Sequence, residues 1–196
     1  MRNYIQTMIV LCLSVLATHT QADVIASTSG NSKILMYIQP VEYTNPIKLW
    51  HYYKDYWFYQ GPVVEIEAKQ RLSQQYGEVE FCDGNATGHA LLWLQPKMFY
   101  NPQLEVFYGE VVVNVYKGQG EFVTSYKGKS NVRGMLGAYA DIWIQKAYAD
   151  ALDHALAKMQ RDVTLQNFMQ YGKLVTFGKN SRHVILGIRN HDKSID

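Results

Sequence analysis

The sequence predicts an α+β domain of two layers, a mostly antiparallel sheet with helices packed on one face. Three observations carry this prediction. Residues Ala138 to Met159 set Ile144, Tyr148, Ala151, Ala155 and Met159 at helical spacing, with Leu152 and Leu156 widening the stripe. Residues Leu104 to Tyr116 alternate with a period of two, and Lys117-Gly118-Gln119-Gly120 turns the chain back into Glu121 to Tyr126. Ahead of both comes an order of strand, helix and strand.

The chain of 196 residues is bounded to about one domain. Residues 1–22 read as a secretory signal peptide. Arg2 supplies the positive start, Met8 to Ala17 the short apolar run, and Thr20-Gln21-Ala22 the small residues of a cleavage site. The single globular domain then runs over 23–196, with a C-terminal arm from about 173. No later stretch is apolar for long enough to span a bilayer, so no integral span is expected after cleavage. Cys12 lies within the leader, which leaves Cys82 alone in the mature chain and without an internal disulfide partner. It reads as a buried small hydrophobe at the end of a strand. Formal net charge is +2, or +1 once Arg2 leaves with the leader. That balance gives no electrostatic case for nucleic acid.

Asp23 to Ser32 is a small, polar lead-in. Lys33 to Gln39 is apolar on both faces, the mark of a central strand, and Pro40 closes it. Thr44-Asn45-Pro46 reads as a turn. Gly61-Pro62 opens a helix buried along Val64, Ala68 and Leu72, with Glu65–Lys69 and Glu67–Arg71 in the favourable order, and Gly77 ends it. Glu78 to Cys82 is a short strand and Asp83-Gly84-Asn85 a turn. Ala90 to Leu94 begins another strand, ended or edged by Pro96. In the long strand Val111, Val113 and Val115 share one face; Glu110, Val112, Asn114 and Tyr116 share the other. Gly128 closes the returning strand, and Lys127 to Gly134 leads on to the long helix. That helix is rich in alanine, which lets it lie close to its partner. A short helix follows over Leu165 to Tyr171, capped by Thr164. Lys173 to Phe177 and His183 to Ile188 could form a hairpin across Gly178-Lys179-Asn180, in the sheet or as a docking arm.

The segment Leu49 to Tyr59, LWHYYKDYWFY, obeys neither period. It is either an irregular piece whose rings fill an edge of the core or a surface for a partner protein, a glycan or a membrane interface. Tyr and Trp suit both uses, because they bury apolar area and keep a polar handle. As a binding surface its residues would be Trp50, Tyr53, Tyr56, Trp57 and Tyr59.

No catalytic motif is present. Gly128-Lys129-Ser130 echoes a phosphate-binding loop, but position 123 is Val where that loop needs Gly, so a hairpin turn is the better reading. His51 with Asp55, and Asp150 with His154, are spaced four apart; each reads as packing or solvated surface, since a metal site needs three or four ligands. No nucleophile elbow or His-Glu-x-x-His occurs. Asn85-Ala86-Thr87 matches the glycosylation pattern, which matters only in a host that glycosylates its exports. Catalytic residues, metal ligands and cofactors are therefore all expected to be none.

Tyr126 to Gly134, YKGKSNVRG, followed by Lys146 to Asp162, KAYADALDHALAKMQRD, resembles the C-terminal half of the YajG-like bacterial envelope lipoproteins. The resemblance implies a strand hairpin, a long alanine-rich helix ending near an Asp, a Gram-negative envelope address and a non-enzymatic role. The family's lipid-bearing cysteine has no equivalent here, and neither does the aromatic segment. The expected function is a periplasmic, non-catalytic accessory or interaction protein of an envelope assembly. Its partner would be an envelope protein or protein complex, through which it would associate with the outer membrane. The alternative is a glycan- or lipid-binding module, with an unrecognised hydrolase ranked below both.

Overall fold

The computed structural model describes residues 33–82, 86–171 and 173–177. The elements are β1 (Ile34–Ile38), α1 (Val41–Thr44), β2 (Ile47–Leu49), β3 (Tyr56–Phe58), α2 (Gln60–Tyr76), β4 (Val79–Phe81), β5 (Ala86–Gly88) and β6 (Ala90–Asn101). They continue as β7 (Val106–Lys117), a 3-10 turn over Gly118–Gly120, β8 (Glu121–Arg133), α3 (Ala140–Arg161), α4 (Val163–Tyr171) and β9 (Val175–Phe177). The fold is α+β, with helices packed against a five-stranded sheet of order β4-β1-β6-β7-β8.

The sheet is mixed. β6, β7 and β8 form a long antiparallel meander, while β1 lies parallel to both β4 and β6. The β1–β4 pair is parallel because α2 carries the chain from the end of β1 back to the start of β4. All five residues of β1 are buried, as a strand apolar on both faces requires.

One sheet face carries Met36, Leu92, Leu94, Phe107, Val111, Val113 and Val115. It packs against Val64, Ala68 and Leu72 of α2 and against Ile144, Tyr148, Ala151, Leu152, Ala155 and Met159 of α3. Each of the larger aliphatic side chains among them contributes about 1.5–3 kcal/mol by leaving water, and each alanine about 1 kcal/mol or less. The buried Tyr148 hydroxyl donates to Gln60 Oε1 at 2.5 Å, and Gln60 Nε2 donates to Glu42 at 2.9 Å, which ties α1, α2 and α3 together. A smaller cluster of Leu35, Tyr37, Cys82, Leu91, Trp93 and Tyr116 lies on the opposite face. There β5 pairs with β9, and Gly88 lies against the Leu35 side chain.

Several boundaries differ from the sequence reading. Gly128 does not close a strand: β8 runs on to Arg133, so Gly128-Lys129-Ser130 is strand and not a hairpin turn. Glycine stands there because α3 lies directly against it. A Cβ on Gly128 would fall 1.8 Å from the Ala151 carbonyl oxygen, and one on Gly109 would fall 2.7 Å from that of Ala147. Ser130 Oγ donates to the Ala147 carbonyl at 2.6 Å from the same face. Of the two readings of Pro96, the edge holds and the end does not, since β6 runs on to Asn101. β1 reaches only as far as Leu94 along β6, so beyond it β6 has one neighbour and tolerates a residue without an N–H. Thr44 ends the helical turn α1, which the turn reading missed. Leu104 and Glu105 belong to a turn, in which Asn101 Oδ1 accepts from the N–H groups of Gln103 and Leu104. Asp162, not Thr164, caps α4: its Oδ1 accepts from Leu165 N at 3.0 Å. Glu67 pairs with Arg71 as expected, whereas Glu65 accepts from the Tyr43 hydroxyl at 2.7 Å. Gly77 ends α2 with φ 93°.

Val175–Phe177 is a strand paired with β5. The His183 to Ile188 half of the expected hairpin, the signal peptide, Asp83-Gly84-Asn85 and Asn85 of the glycosylation pattern lie outside the described residues.

Candidate functional site

The aromatic segment forms the ribbon β2–β3 and the loop between its strands. Register pairs Ile47 with Phe58, Lys48 with Trp57 and Leu49 with Tyr56. The ribbon splits the segment by face. Leu49 (2% exposed) and Phe58 point into the core, whereas Trp57 (58% exposed) points out. Lys48 Nζ lies 5.8 Å above the Trp57 ring and 3.3 Å from Asp55.

Of the five residues singled out as a binding surface, Trp50, Tyr53, Trp57 and Tyr59 are exposed, and Tyr53 reaches 93%. Tyr56 is turned inward and half-buried, with its hydroxyl bonded to Asp141 at the start of α3. Burial, and then the Asp141 carboxylate that accepts its hydrogen bond, push the Tyr56 phenol up to about 12. It acts as an anchor that fixes the ribbon to the helix.

The loop rings meet residues from elsewhere. Trp50 and Tyr52 pack edge to face at 4.9 Å, and the His51 ring lies 6.4 Å from that of Tyr100 on β6. Trp50 and Tyr52 line an open groove of about 310 Å³ together with Met98 and Phe99, and with the polar Lys48, Asn101 and Gln103. The Tyr100 hydroxyl donates to the Gly134 carbonyl at 3.4 Å and accepts from Leu136 N at 3.3 Å, which joins this end to the loop before α3. Around the same end Phe99, Leu104, Met135, Tyr139 and Ile142 are also exposed. Naming Ala90 to Leu94 as the strand, with Pro96 ending or edging it, left out Met98, Phe99 and Tyr100. The signal was available in three large side chains standing just beyond a proline.

The two spaced His/Asp pairs do not converge. His51 Nδ1 accepts from Tyr53 N at 3.4 Å, while Asp55 pairs with Lys48. Asp150 pairs with Lys146 at 3.2 Å, and His154 Nδ1 contacts the Lys129 carbonyl at 2.5 Å. Among the described residues no three His, Cys, Asp or Glu side chains gather as a metal site. No described helix is long and apolar enough to cross a membrane.

No family model and no curated protein matches this chain. Among solved structures it is similar to a DUF330 protein from Xanthomonas campestris. That match has 8% identity and a TM-score of 0.43, over 66% of this chain and 86% of the other. It is also similar to a candidate lipoprotein from Caulobacter crescentus CB15, with 16% identity and a TM-score of 0.32 over 57% and 83%. Likeness at this level reaches neither function nor partner.

What the site can do follows from its own groups. An end rich in exposed Trp, Tyr, Phe, Met and Ile offers apolar area and ring faces, with hydroxyl, amide and ammonium groups at the rim. The β6–β7 turn and the anchored ribbon hold much of it in place before any partner arrives.

Proposed function

We propose that this is a non-catalytic accessory protein of the bacterial envelope that docks on a partner protein through its aromatic end. The observation that carries the reading is the set of large exposed side chains from three separate segments at that end: Trp50, Tyr53 and Trp57, then Phe99, then Met135 and Tyr139. Large exposed apolar side chains drawn from several segments to one end of a domain suit an interaction site. Aromatic anchors with polar tips are what the centre of a protein interface uses. The exported address rests on the leader-like sequence of residues 1–22. The non-enzymatic role rests on the lack of a catalytic motif in the sequence and on the YajG-like pattern of its C-terminal half.

A second reading has its own support. The groove between Trp50, Tyr52 and Phe99 is concave, with Lys48, Asn101 and Gln103 at its rim. That suits a glycan or lipid chain stacked on rings.

The two are separated by replacing Trp57, on the ribbon face, and Phe99, in the groove, one at a time with Ala. Loss of partner protein with Trp57→Ala, and unchanged glycan and lipid binding in both variants, supports docking. Full partner recovery in both variants, with glycan or lipid binding lost on Phe99→Ala, replaces the docking reading with the second.

A further inference from the structure

The β8 edge carries a concentration of positive charge apart from the aromatic end. β8 is the last strand of the sheet, with β7 as its one neighbour among the described strands. Along its open edge runs a groove of about 400 Å³ lined by Lys127 and Lys129 of β8 and by His154, Ala157, Lys158 and Arg161 of α3. No carboxylate lines it. The acidic residues beside it on the chain are engaged elsewhere: Asp150 with Lys146, Asp153 with Arg71 at 2.8 Å, and Asp162 with the Tyr126 hydroxyl. Glu110 lies 3.5 Å from both Lys127 and Lys129, and 3.9 Å from Lys97, on the outer sheet face. One carboxylate cannot neutralise that set.

The backbone contributes as well. Lys158 Nζ donates to the Lys127 carbonyl at 2.6 Å, and His154 Nδ1 meets the Lys129 carbonyl at 2.5 Å. These carbonyls therefore point away from β7. In an antiparallel strand the N–H and C=O of one residue point the same way, so the N–H groups of Lys127 and Lys129 also face the groove. Because a carbonyl only accepts, Nδ1 of His154 carries the proton, which fixes the ring and leaves Nε2 on its far side. Basic residues at a helix C-terminus follow from the helix dipole, and lysines on an edge strand discourage strand addition. Neither reason brings the two sets together around outward N–H groups.

We propose that this edge groove binds phosphate groups, with Lys158 and Arg161 as the charged contacts, the two strand N–H groups as donors, and the Lys127 and Lys129 ammonium groups at the outer rim beside Glu110. The phosphate is that of a free oligophosphate or of a lipid headgroup. The inference is independent of the docking role of the aromatic end.

The test is calorimetric titration of the purified protein, at low salt, with inorganic pyrophosphate. In parallel, binding is measured to phosphatidylcholine vesicles with and without phosphatidylglycerol. Saturable binding of either probe, with amide shifts centred on Lys127 and Lys129, is the expected result. The double variant Lys158→Gln/Arg161→Gln weakens it about tenfold or more, and Lys146→Gln, on the same helix outside the groove, leaves it unchanged. Tighter binding to the phosphatidylglycerol vesicles assigns the lipid source, and tighter binding to pyrophosphate the free one. The proposal is overturned by no saturable binding of either probe, by shifts centred elsewhere, or by affinity that survives the double variant. Binding of a poly-glutamate peptide alone also overturns it and gives the edge to an acidic protein segment.

Discussion

Gly128 of β8 and Ala151 of α3 meet backbone to backbone: a Cβ on the glycine would lie 1.8 Å from the alanine carbonyl oxygen. Sheet and helix approach this closely because one side of the contact has no side chain and the other is lined by Ala147, Ala151 and Ala155. Gly128→Ala must therefore push α3 off the sheet. We expect a loss of about 1–3 kcal/mol, read as a lower urea midpoint at unchanged slope. Gly109→Ala acts on the same helix in the same direction. A Gly128→Ala variant as stable as the parent would contradict this close approach of α3 to the sheet.

Glu67 is buried on α2 and is satisfied by Arg71 and by Gln145 Nε2, the latter at 2.6 Å. Arg71→Met leaves that carboxylate short of its charged partner, so it should cost about 1–3 kcal/mol. Glu67→Gln keeps the shape and removes the charge, and should cost less. Urea unfolding of the two variants side by side checks the order, and equal losses would show that the buried charge does not dominate.

Tyr126 on β8 donates its hydroxyl to Asp162 at 2.6 Å, and Asp162 caps α4. That hydrogen bond, and then the backbone N–H groups of α4, hold the Asp162 carboxyl below its ordinary value. A carboxylate depressed in the folded state adds stability above its unfolded pKa, and that contribution disappears as pH falls through the folded value. Tyr126→Phe should therefore lose more stability at neutral pH than at a pH below about 4. Unfolding midpoints of parent and variant across that range decide it; a difference independent of pH would contradict the linkage.

The aromatic segment divides by face, so its residues should divide by effect. Leu49→Ala empties a core position and should cost about 2–5 kcal/mol, whereas Trp57→Ala should stay within about 0.5 kcal/mol. Thermal melts of the two variants test the split. A large loss from Trp57→Ala would return that ring to the core.

Much of the fold was legible in the sequence because periodicity is a local signal. Ile144, Tyr148, Ala151 and Met159 marked the buried stripe of α3, and the valines of β7 marked the core face of the sheet. What failed to show was what distant contacts decide. Gly128 reads as a turn until α3 is seen to lie against it, and whether Pro96 ends or edges its strand stays open until β1 is seen to stop at Leu94. The parallel pairing of β1 with β6 is a matter of topology, not pattern. The site was partly legible: exposed Trp50, Tyr53, Trp57 and Tyr59 were named from composition. The inward turn of Tyr56 depends on Asp141, which is 85 residues away. Phe99 and Met98, which line the groove, stood behind the proline.

The central claim is that the aromatic end is a recognition surface. It is tested most directly by a photocrosslinking residue at Tyr53, the most exposed ring among the described residues, in cells of the native host. We predict a reproducible crosslink to one envelope protein that disappears in the folded Trp50→Ala/Trp57→Ala variant and persists in the Lys158→Gln/Arg161→Gln variant. Absence of any crosslink from the folded, exported protein, or one that survives removal of both tryptophans, would contradict the account.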